Sequence, residues 1–271
     1  MNAASFHLAG RTAVITGGYG VLGGCIADGL AAAGARIIVL GRRMDAAEQK
    51  AAQLRSDGAD ALAVAADVLD EAALRRAADD IGSQVQGIDI LINAAGGNVA
   101  RARNDDRSIF DVAADATDEA LRLNLHGTLL PSLVFGARMA QQRSGCIVNI
   151  SSMAATRVLS GVLGYSMAKA AVENFTRWLA VDLARRYGEG MRVNAVAPGF
   201  FVTQQNRAVM LNEDGSYTER AERVVAHTPM GRLGRPEELV GAVQWLCSDA
   251  ATFVTGAVVP VDGGFSLYSG V

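Results

Sequence analysis

Residues 12–35 read TAVITGGYGVLGGCIADGLAAAGA. Thr12 to Thr16 form an apolar run bounded by turn residues, the pattern of a buried strand. The run ends in the turn TGGYGVLGG, and CIADGLAAAGA continues as a helix that closes at Gly34. Strand, glycine-rich turn and helix in that order present backbone N–H groups and a helix N-terminus to a pyrophosphate. Gly18, Gly20 and Gly23 satisfy the G-x-G-x-x-G spacing. Glycine turns occur in many chains, so the spacing alone says little; its place between a strand and a helix gives it weight. Gly17, Gly18, Tyr19, Gly20, Val21 and Leu22 are therefore the first candidates for cofactor contact.

The same alternation repeats downstream. Arg36 to Leu40 predicts a second strand, residues 45–57 an amphipathic helix, and Ala61 to Ala66 a third strand ending at Asp67-Val68. A helix over 70–85 precedes a fourth strand, Ile88 to Ile92, which runs into Asn93-Ala94-Ala95-Gly96. Residues 97–116 are polar and read as a surface excursion, followed by one long helix over 117–142. A fifth strand (Gly145 to Ile150), a helix over 164–187 and a sixth strand (Met191 to Val196) follow, the last broken by Ala197-Pro198-Gly199. A helix over 236–249 and a strand from Ala257 to Val261 close the chain. Strands alternating with helices imply right-handed crossovers and an α/β fold: a Rossmann-type, doubly wound parallel sheet with helices on both faces. No linker or repeat divides the chain, so a single domain is expected. Residues 200–230 break the alternation and read as a lid beside the site.

Candidate ligand contacts collect just after strands, at the carboxyl edge where such sheets bind ligands. An NAD site usually ends its second strand on an acidic residue that takes the ribose hydroxyls. Gly41 stands there instead, and Arg42 and Arg43 follow. A guanidinium at that point suits a 2′-phosphate, so NADP(H) is favoured and NAD(H) is the alternative; as solvated loop charges the two arginines would express no preference. Asp67, beside Val68, either accepts from an adenine amino group or caps the helix that begins near Asp70. Asn93, Ala94, Ala95 and Gly96 are small enough to let backbone approach a cofactor. Pro198, Gly199, Phe201, Val202 and Thr203 complete the set.

A second stretch carries the chemistry: Ser152 to Lys169 reads SMAATRVLSGVLGYSMAK. Tyr165 and Lys169 are four residues apart in a helical pattern, hence one turn apart on one face. A phenol with a pKa of about 10 is a poor acid–base catalyst at neutral pH, and a fixed ammonium nearby lowers that value. The pair can therefore serve as a general acid/base, with Ser152 orienting a carbonyl or alcohol beside it. Taken alone, a Tyr and a Lys at this spacing are more often surface decoration. Asn124 is the other polar residue of note, because Leu123 and Leu125 flank it inside a predicted helix, where Asn is unfavourable.

Composition narrows the class. Half of the 271 residues are hydrophobic, ample for a large core, and the net charge is −3 without a basic run, which argues against nucleic acid. The three cysteines (Cys25, Cys146, Cys247) and three histidines (His7, His126, His227) are scattered, so neither a metal site nor a disulfide framework is expected. No signal peptide or membrane span is read, and a reduced, cytoplasmic protein follows.

In this order the motifs resemble the short-chain dehydrogenase/reductase family: the glycine turn, Asn93-Ala94-Ala95-Gly96, Asn124, Ser152, Tyr165-Ser166-Met167-Ala168-Lys169 and Pro198-Gly199. The resemblance covers nearly the whole chain. It implies a catalytic tetrad of Asn124, Ser152, Tyr165 and Lys169, in which Tyr165 moves the oxygen-bound proton and Lys169 lowers its pKa and binds the nicotinamide ribose. Ser152 would hold the reacting oxygen, and Asn124 a water that relays protons from Lys169. The chain departs from the family turn TGxxxGxG in carrying Val21 where the second glycine is expected.

Within the family the chain resembles the D-mannonate oxidoreductase (fructuronate reductase) group. The shared stretches are Gly20 to Gly24, Ser151-Ser152-Met153 with Arg157, and Pro198 to Thr203. Asn206-Arg207, the turn Asn212 to Ser216, His227 to Gly231 and the tail Gly263 to Val271 complete the match. That implies hydride transfer between nicotinamide and a sugar acid. A carboxylate substrate needs a fixed cation, for which Arg157 and Arg207 are the candidates, with solvated loop arginines the competing reading. Rival functions are a reductase of another keto sugar, polyol or 3-oxoacyl substrate, and a dinucleotide-binding regulator without turnover. The family resemblance further implies a homotetramer built through the two long helices and the C-terminal segment.

Overall fold

The computed structural model describes residues 5–105, 108–203 and 206–270. Asp106 and Arg107 of the polar excursion, Gln204 and Gln205 of the predicted lid, and Val271 of the tail lie outside the described residues.

The elements run β1 (Thr12–Thr16), α1 (Val21–Ala32), β2 (Arg36–Gly41), α2 (Met44–Ser56), β3 (Ala61–Ala65), α3 (Glu71–Gly82) and β4 (Ile90–Asn93). Then come α4 (Ala114–Leu121), α5 (Gly127–Gln142), β5 (Gly145–Ile150), α6 (Leu163–Tyr187), β6 (Met191–Pro198), α7 (Arg207–Met210), α8 (Glu219–Ala226), α9 (Val240–Cys247) and β7 (Val258–Val261). The seven strands form one parallel sheet in the order β3-β2-β1-β4-β5-β6-β7. Their apolar runs alternate between two cores. Ile15, Val39, Ile92 and Val148 point to one face and pack with Ile26, Leu30, Leu54 and Leu246 of α1, α2 and α9. Val14, Ile38, Leu91 and Ile147 point to the other and meet Leu74, Phe135, Leu179 and Leu183 of α3, α5 and α6. Both faces are covered, as the doubly wound reading requires. The chain winds outward from β1 through β2 to β3, then returns to β1's other side with β4. The crevice above β1 and β4 is thus the topological switch point.

Most boundaries fall within a few residues of the sequence reading, with two physical exceptions. The long helix expected over 117–142 is two helices joined by a π-turn over Arg122–His126, where Gly127 N–H reaches back to Arg122 O. Its liberated carbonyls are taken up by side chains: Asn124 Nδ2 donates to Ala120 O at 3.0 Å and Thr128 Oγ1 to Asn124 O at 2.9 Å. Pro131, inside α5, cannot donate to the carbonyl four residues back, which weakens the ladder on the other side of the turn. The final helix is shorter than 236–249, because a 3₁₀ turn over Pro236–Leu239 precedes α9.

The described part of the predicted lid, residues 200–203 and 206–230, packs with Leu233 as a small unit. Met210, Ala221, Val224 and Leu233 form its core, with Phe200 and Phe265 in edge contact at 5.2 Å. No helix of the described residues is long and apolar enough to cross a membrane.

Candidate active site

A cleft of about 270 Å³ opens at the switch point. Its floor is the β1–α1 turn, and the geometry there needs glycine. Gly17 has φ +65°, and a β-carbon on it would stand 3.0 Å from Ala95 Cα. A β-carbon on Gly23 would stand 2.3 Å from Gly17 O. The resulting surface is bare backbone beside the first turn of α1, whose N–H groups have no partners within the helix, and this suits a dinucleotide pyrophosphate. Val21 lines the cleft as the first residue of α1, after Gly20 at the N-cap. The departure from the family turn is thus absorbed by letting an isopropyl group form part of the wall.

Opposite lie the catalytic candidates. Tyr165 is in the first turn of α6, and Lys169 Nζ stands 5.5 Å from its ring centroid. Lys169 is buried and donates to Ile150 O at 2.7 Å, which ties α6 to the end of β5. Burial lowers the Lys169 ammonium to about 8. Burial also raises the half-buried Tyr165 phenol, and a hydrogen bond with Ser152 pulls it partly back. This net rise is opposite to the sequence expectation. The reason is geometric: the ammonium lies over the ring and bonds a backbone carbonyl, while burial acts directly on the hydroxyl. Ser152 is buried at the end of β5, where its Oγ also accepts from Ala154 N at 3.1 Å.

Asn124 is fully buried in the π-turn. Its Oδ1 accepts from Gly97 N and its Nδ2 donates to Gly97 O, both at 2.9 Å. A β-carbon on Gly96 would come within 2.7 Å of Asn124 Oδ1 and 3.6 Å of Lys169 Nζ. Asn124 therefore clamps the loop after β4 close to Lys169.

Residues 20–266 match the family model described as enoyl-(acyl carrier protein) reductase. An oxidoreductase of Bacillus subtilis, UxuB, described as uncharacterized, is 44% identical over 98% of each chain. Galactitol 2-dehydrogenase of Rhizobium johnstonii is 37% identical over 97% of this chain and 98% of its own. The chain belongs to the short-chain dehydrogenase/reductases. Among solved structures of this family, a Haemophilus influenza protein provisionally named a D-mannonate oxidoreductase, with bound NAD, superposes with a TM-score of 0.92 at 39% identity over 98% of each chain. A Beutenbergia cavernae protein, provisionally an NAD(P)-dependent gluconate 5-dehydrogenase with NADP at low occupancy, gives 0.85 at 38% identity over 96% of this chain and 98% of its own.

As an NAD(P)-dependent dehydrogenase/reductase, the chain brings together Gly17, Gly20, Val21, Leu22, Ala94, Gly96, Ser152, Tyr165, Lys169, Pro198, Gly199, Phe201 and Thr203 around one cleft. Gly18, Tyr19, Gly41, Arg42, Arg43, Asp67 and Val68 lie outside that cavity, towards β2 and β3. There the Tyr19 ring fills the space a side chain at 41 would need, since a β-carbon on Gly41 would stand 2.2 Å from Tyr19 Cε1. Arg43 lies over the same ring at 5.7 Å, and Arg42 is exposed. Asp70, not Asp67, caps α3 through Ala73 N at 3.0 Å; Asp67 accepts from Leu69 N at 2.9 Å.

The other candidates are held by their own surroundings. The side chain of Asn93 turns inward, donating to Ser132 Oγ and Asn149 Oδ1 at 2.8 Å, because β4 places it directly opposite Asn149. Val68 is buried against the second core, and Val202 packs on the small unit formed by 200–230. Arg157 is exposed and donates to Ser266 O at 2.5 Å, so the C-terminal segment holds it away from the site. Arg207 is exposed at the start of α7 and lines neither the cleft nor its neighbour.

That neighbour is a second cavity of about 350 Å³, which shares Ser152, Tyr165, Gly199, Phe200, Asn98 and Asn206 with the cleft. Its own lining adds Arg103, Met153, Leu159, Val162, Val209, Met210 and Arg220. Sequence reasoning singled out neither Arg103 nor Arg220. The amphipathic spacing of Glu219 to Ala226 was the only available signal for the latter. A larger surface depression, about 670 Å³, lies on the exposed face of α6 beside Trp178 and Val181 and holds none of these groups. Among the described residues, no cluster of three His, Cys, Asp or Glu is placed to hold a metal ion.

Proposed function

We propose that the protein interconverts a secondary alcohol and a ketone on a sugar acid of the D-mannonate/D-fructuronate class, with NADP(H) as the preferred cofactor. One observation carries the reading: Ser152 and Tyr165 stand on the wall shared by the glycine-floored cleft and the polar cavity beside it. A bound nicotinamide dinucleotide would supply or accept the hydride. In reduction, Tyr165 gives its hydroxyl proton to the carbonyl oxygen while the Ser152 hydroxyl donates to the same atom. A phenol raised by burial remains protonated at neutral pH, which suits this direction. In the reverse direction the phenol must first lose its proton, so oxidation gains as pH rises. Lys169 holds the ribose side of the cleft, and Asn124 keeps the loop at Gly96 and Gly97 in place.

The NADP preference is supported by the missing acidic residue at the end of β2, by the Tyr19 ring over Gly41 and by the exposed Arg42 beside it. The sugar-acid reading is supported by the similarity to proteins named for mannonate and gluconate. The polyol alternative is supported by the galactitol dehydrogenase relative. A panel of hexonates, hexitols and an acyl thioester, each with NADPH/NADP and NADH/NAD and followed at the nicotinamide absorbance, tests all of them. The expected result is turnover of a hexonate–ketohexonate pair with NADP(H) ahead of NAD(H). Turnover of hexitols alone would overturn the substrate class, and no turnover at all would favour a regulatory dinucleotide-binding protein.

We further propose a homotetramer, with Leu133 of α5 and Met167, Trp178 and Val181 of α6 as the exposed apolar contacts. Sedimentation of the wild type and of Trp178→Asp tests this, and a wild-type monomer would end it.

A further inference from the structure

Two cations face the cavity that Ser152 and Tyr165 share with the cleft. Arg103 comes from the loop after β4, and Arg220 from the first turn of α8. Both line the second cavity and neither lines the cleft, so they stand away from the shared wall. Asp105 joins them: Arg103 Nε donates to Oδ2 at 2.7 Å and Arg220 Nη1 to Oδ1 at 3.4 Å. Their side chains are 32% and 31% exposed, about two-thirds covered by the protein.

The donor inventory favours Arg220 as a receptor. A guanidinium carries five N–H donors in a planar fork. Among the described residues, Arg220 is held by two contacts, to Asp105 at 3.4 Å and to Ser160 O at 3.5 Å, both at the long limit of hydrogen bonding. Its fork can take a bidentate carboxylate without breaking a strong bond. Asp105 reports what a carboxylate meets there. The hydrogen bond from Arg103, joined by the charges of Arg103 and Arg220, holds its carboxyl below the usual range against partial burial.

The rest of the described lining mixes apolar side chains, Met153, Leu159, Val162, Val209 and Met210, with the amide of Asn98 and the hydroxyls of Ser152 and Tyr165. Asn98 and Asn206 line both cleft and cavity; the Asn206 amide is held in its own turn, accepting from Thr203 N at 2.7 Å and donating to Phe201 O at 2.8 Å. No acidic side chain lines the cavity among the described residues. We infer that Arg220, with Arg103 beside it, receives the substrate carboxylate, and that Asp105 aims the two guanidinium groups. This rests on the sugar-acid reading above and takes over the role first expected of Arg157 and Arg207.

The competing account is a latch: Arg220 merely ties α8 to the loop at Asp105. The two separate on substrate charge. Steady-state constants are measured for a hexonate and for the neutral hexitol of matching configuration, using wild type, Arg220→Met and Arg220→Lys, with melting curves to verify folding. Loss of a hydrogen-bonded charge contact predicts that Arg220→Met raises KM for the acid roughly 30-fold, with kcat and the hexitol KM within a few-fold. Arg220→Lys keeps the charge without the fork and falls between. Constants for acid and hexitol that move together would show the latch and overturn the inference, as would an acid KM that does not move. A wild-type enzyme that prefers the acid while Arg220→Met keeps that preference removes this assignment alone. A wild type that turns over hexitols and no acid removes both this and the sugar-acid reading.

Discussion

The dinucleotide cleft and the cavity beside it share Ser152 and Tyr165, yet they are built in different ways. Strand ends and the turns that directly follow them make the cleft. Its shape is set by backbone, and glycines at 17, 23 and 96 are there because a β-carbon would collide with a neighbouring chain segment. The cavity is walled by side chains from three stretches far apart in sequence, around Asn98–Arg103, Met153–Val162 and Asn206–Arg220. A cofactor common to a family can be met by local geometry. A substrate peculiar to one member is met by long-range convergence of side chains, which can change without disturbing the sheet.

The comparison can be broken most severely at the shared wall. Tyr165→Phe removes the proton donor and leaves the ring, so kcat should fall by about 10³-fold. Dinucleotide affinity, read by nicotinamide fluorescence titration, should stay within a few-fold; a comparable loss would mean the wall is not divided between two ligands. Next comes the cleft floor. Gly23→Ala drives a β-carbon to 2.3 Å from Gly17 O. Overpacking of this kind costs about 2 kcal/mol, equivalent to roughly 30-fold in dinucleotide affinity. Equilibrium titration checks it, and unchanged affinity would show that the turn can relax.

Smaller effects sharpen the picture. Arg42→Ser should reduce the NADPH over NADH preference about tenfold in kcat/KM, the worth of one charged contact. An unchanged ratio would return Arg42 to the solvent. Lys169 gives the subtlest test. The unfolded chain holds its proton up to 10.5 and the folded chain only to about 8. Between those values unfolding takes up a proton, so stability rises with pH. Relative to Lys169→Met, the wild type should gain about 2 kcal/mol from pH 8 to pH 10, measured by denaturant melts. A difference that is flat with pH would mean Lys169 titrates normally.

The fold was legible because its signals are local. Apolar runs of four to six residues punctuated by Thr16-Gly17, Gly41 and Pro198-Gly199 mark strands, and the strand–helix rhythm leaves few topologies. The tetrad candidates were legible through spacing, as with Tyr165 and Lys169. What failed was direction. Arg157 looked well placed by its distance from Ser152 along the chain, but the C-terminal segment, over a hundred residues away, claims its side chain. The inward turn of the Asn93 side chain was equally hidden, because the acceptor it meets, Asn149, stands on the next strand and far away in sequence. The direction of the Tyr165 shift failed for a related reason. Sequence proximity to an ammonium is visible in one dimension, and burial is not.

The π-turn at Arg122–His126 has one more consequence. It spends an extra residue within a single rod, so it fixes the angular phase between α4 and α5. Loss of one residue there would not shorten the rod so much as rotate it, by about 100°. Asn124 would swing off Gly97, and Ala116 and Ala120 would leave their packing against Ala102. In a scan of single-residue deletions, this short stretch should stand out as an intolerant notch between more forgiving flanks.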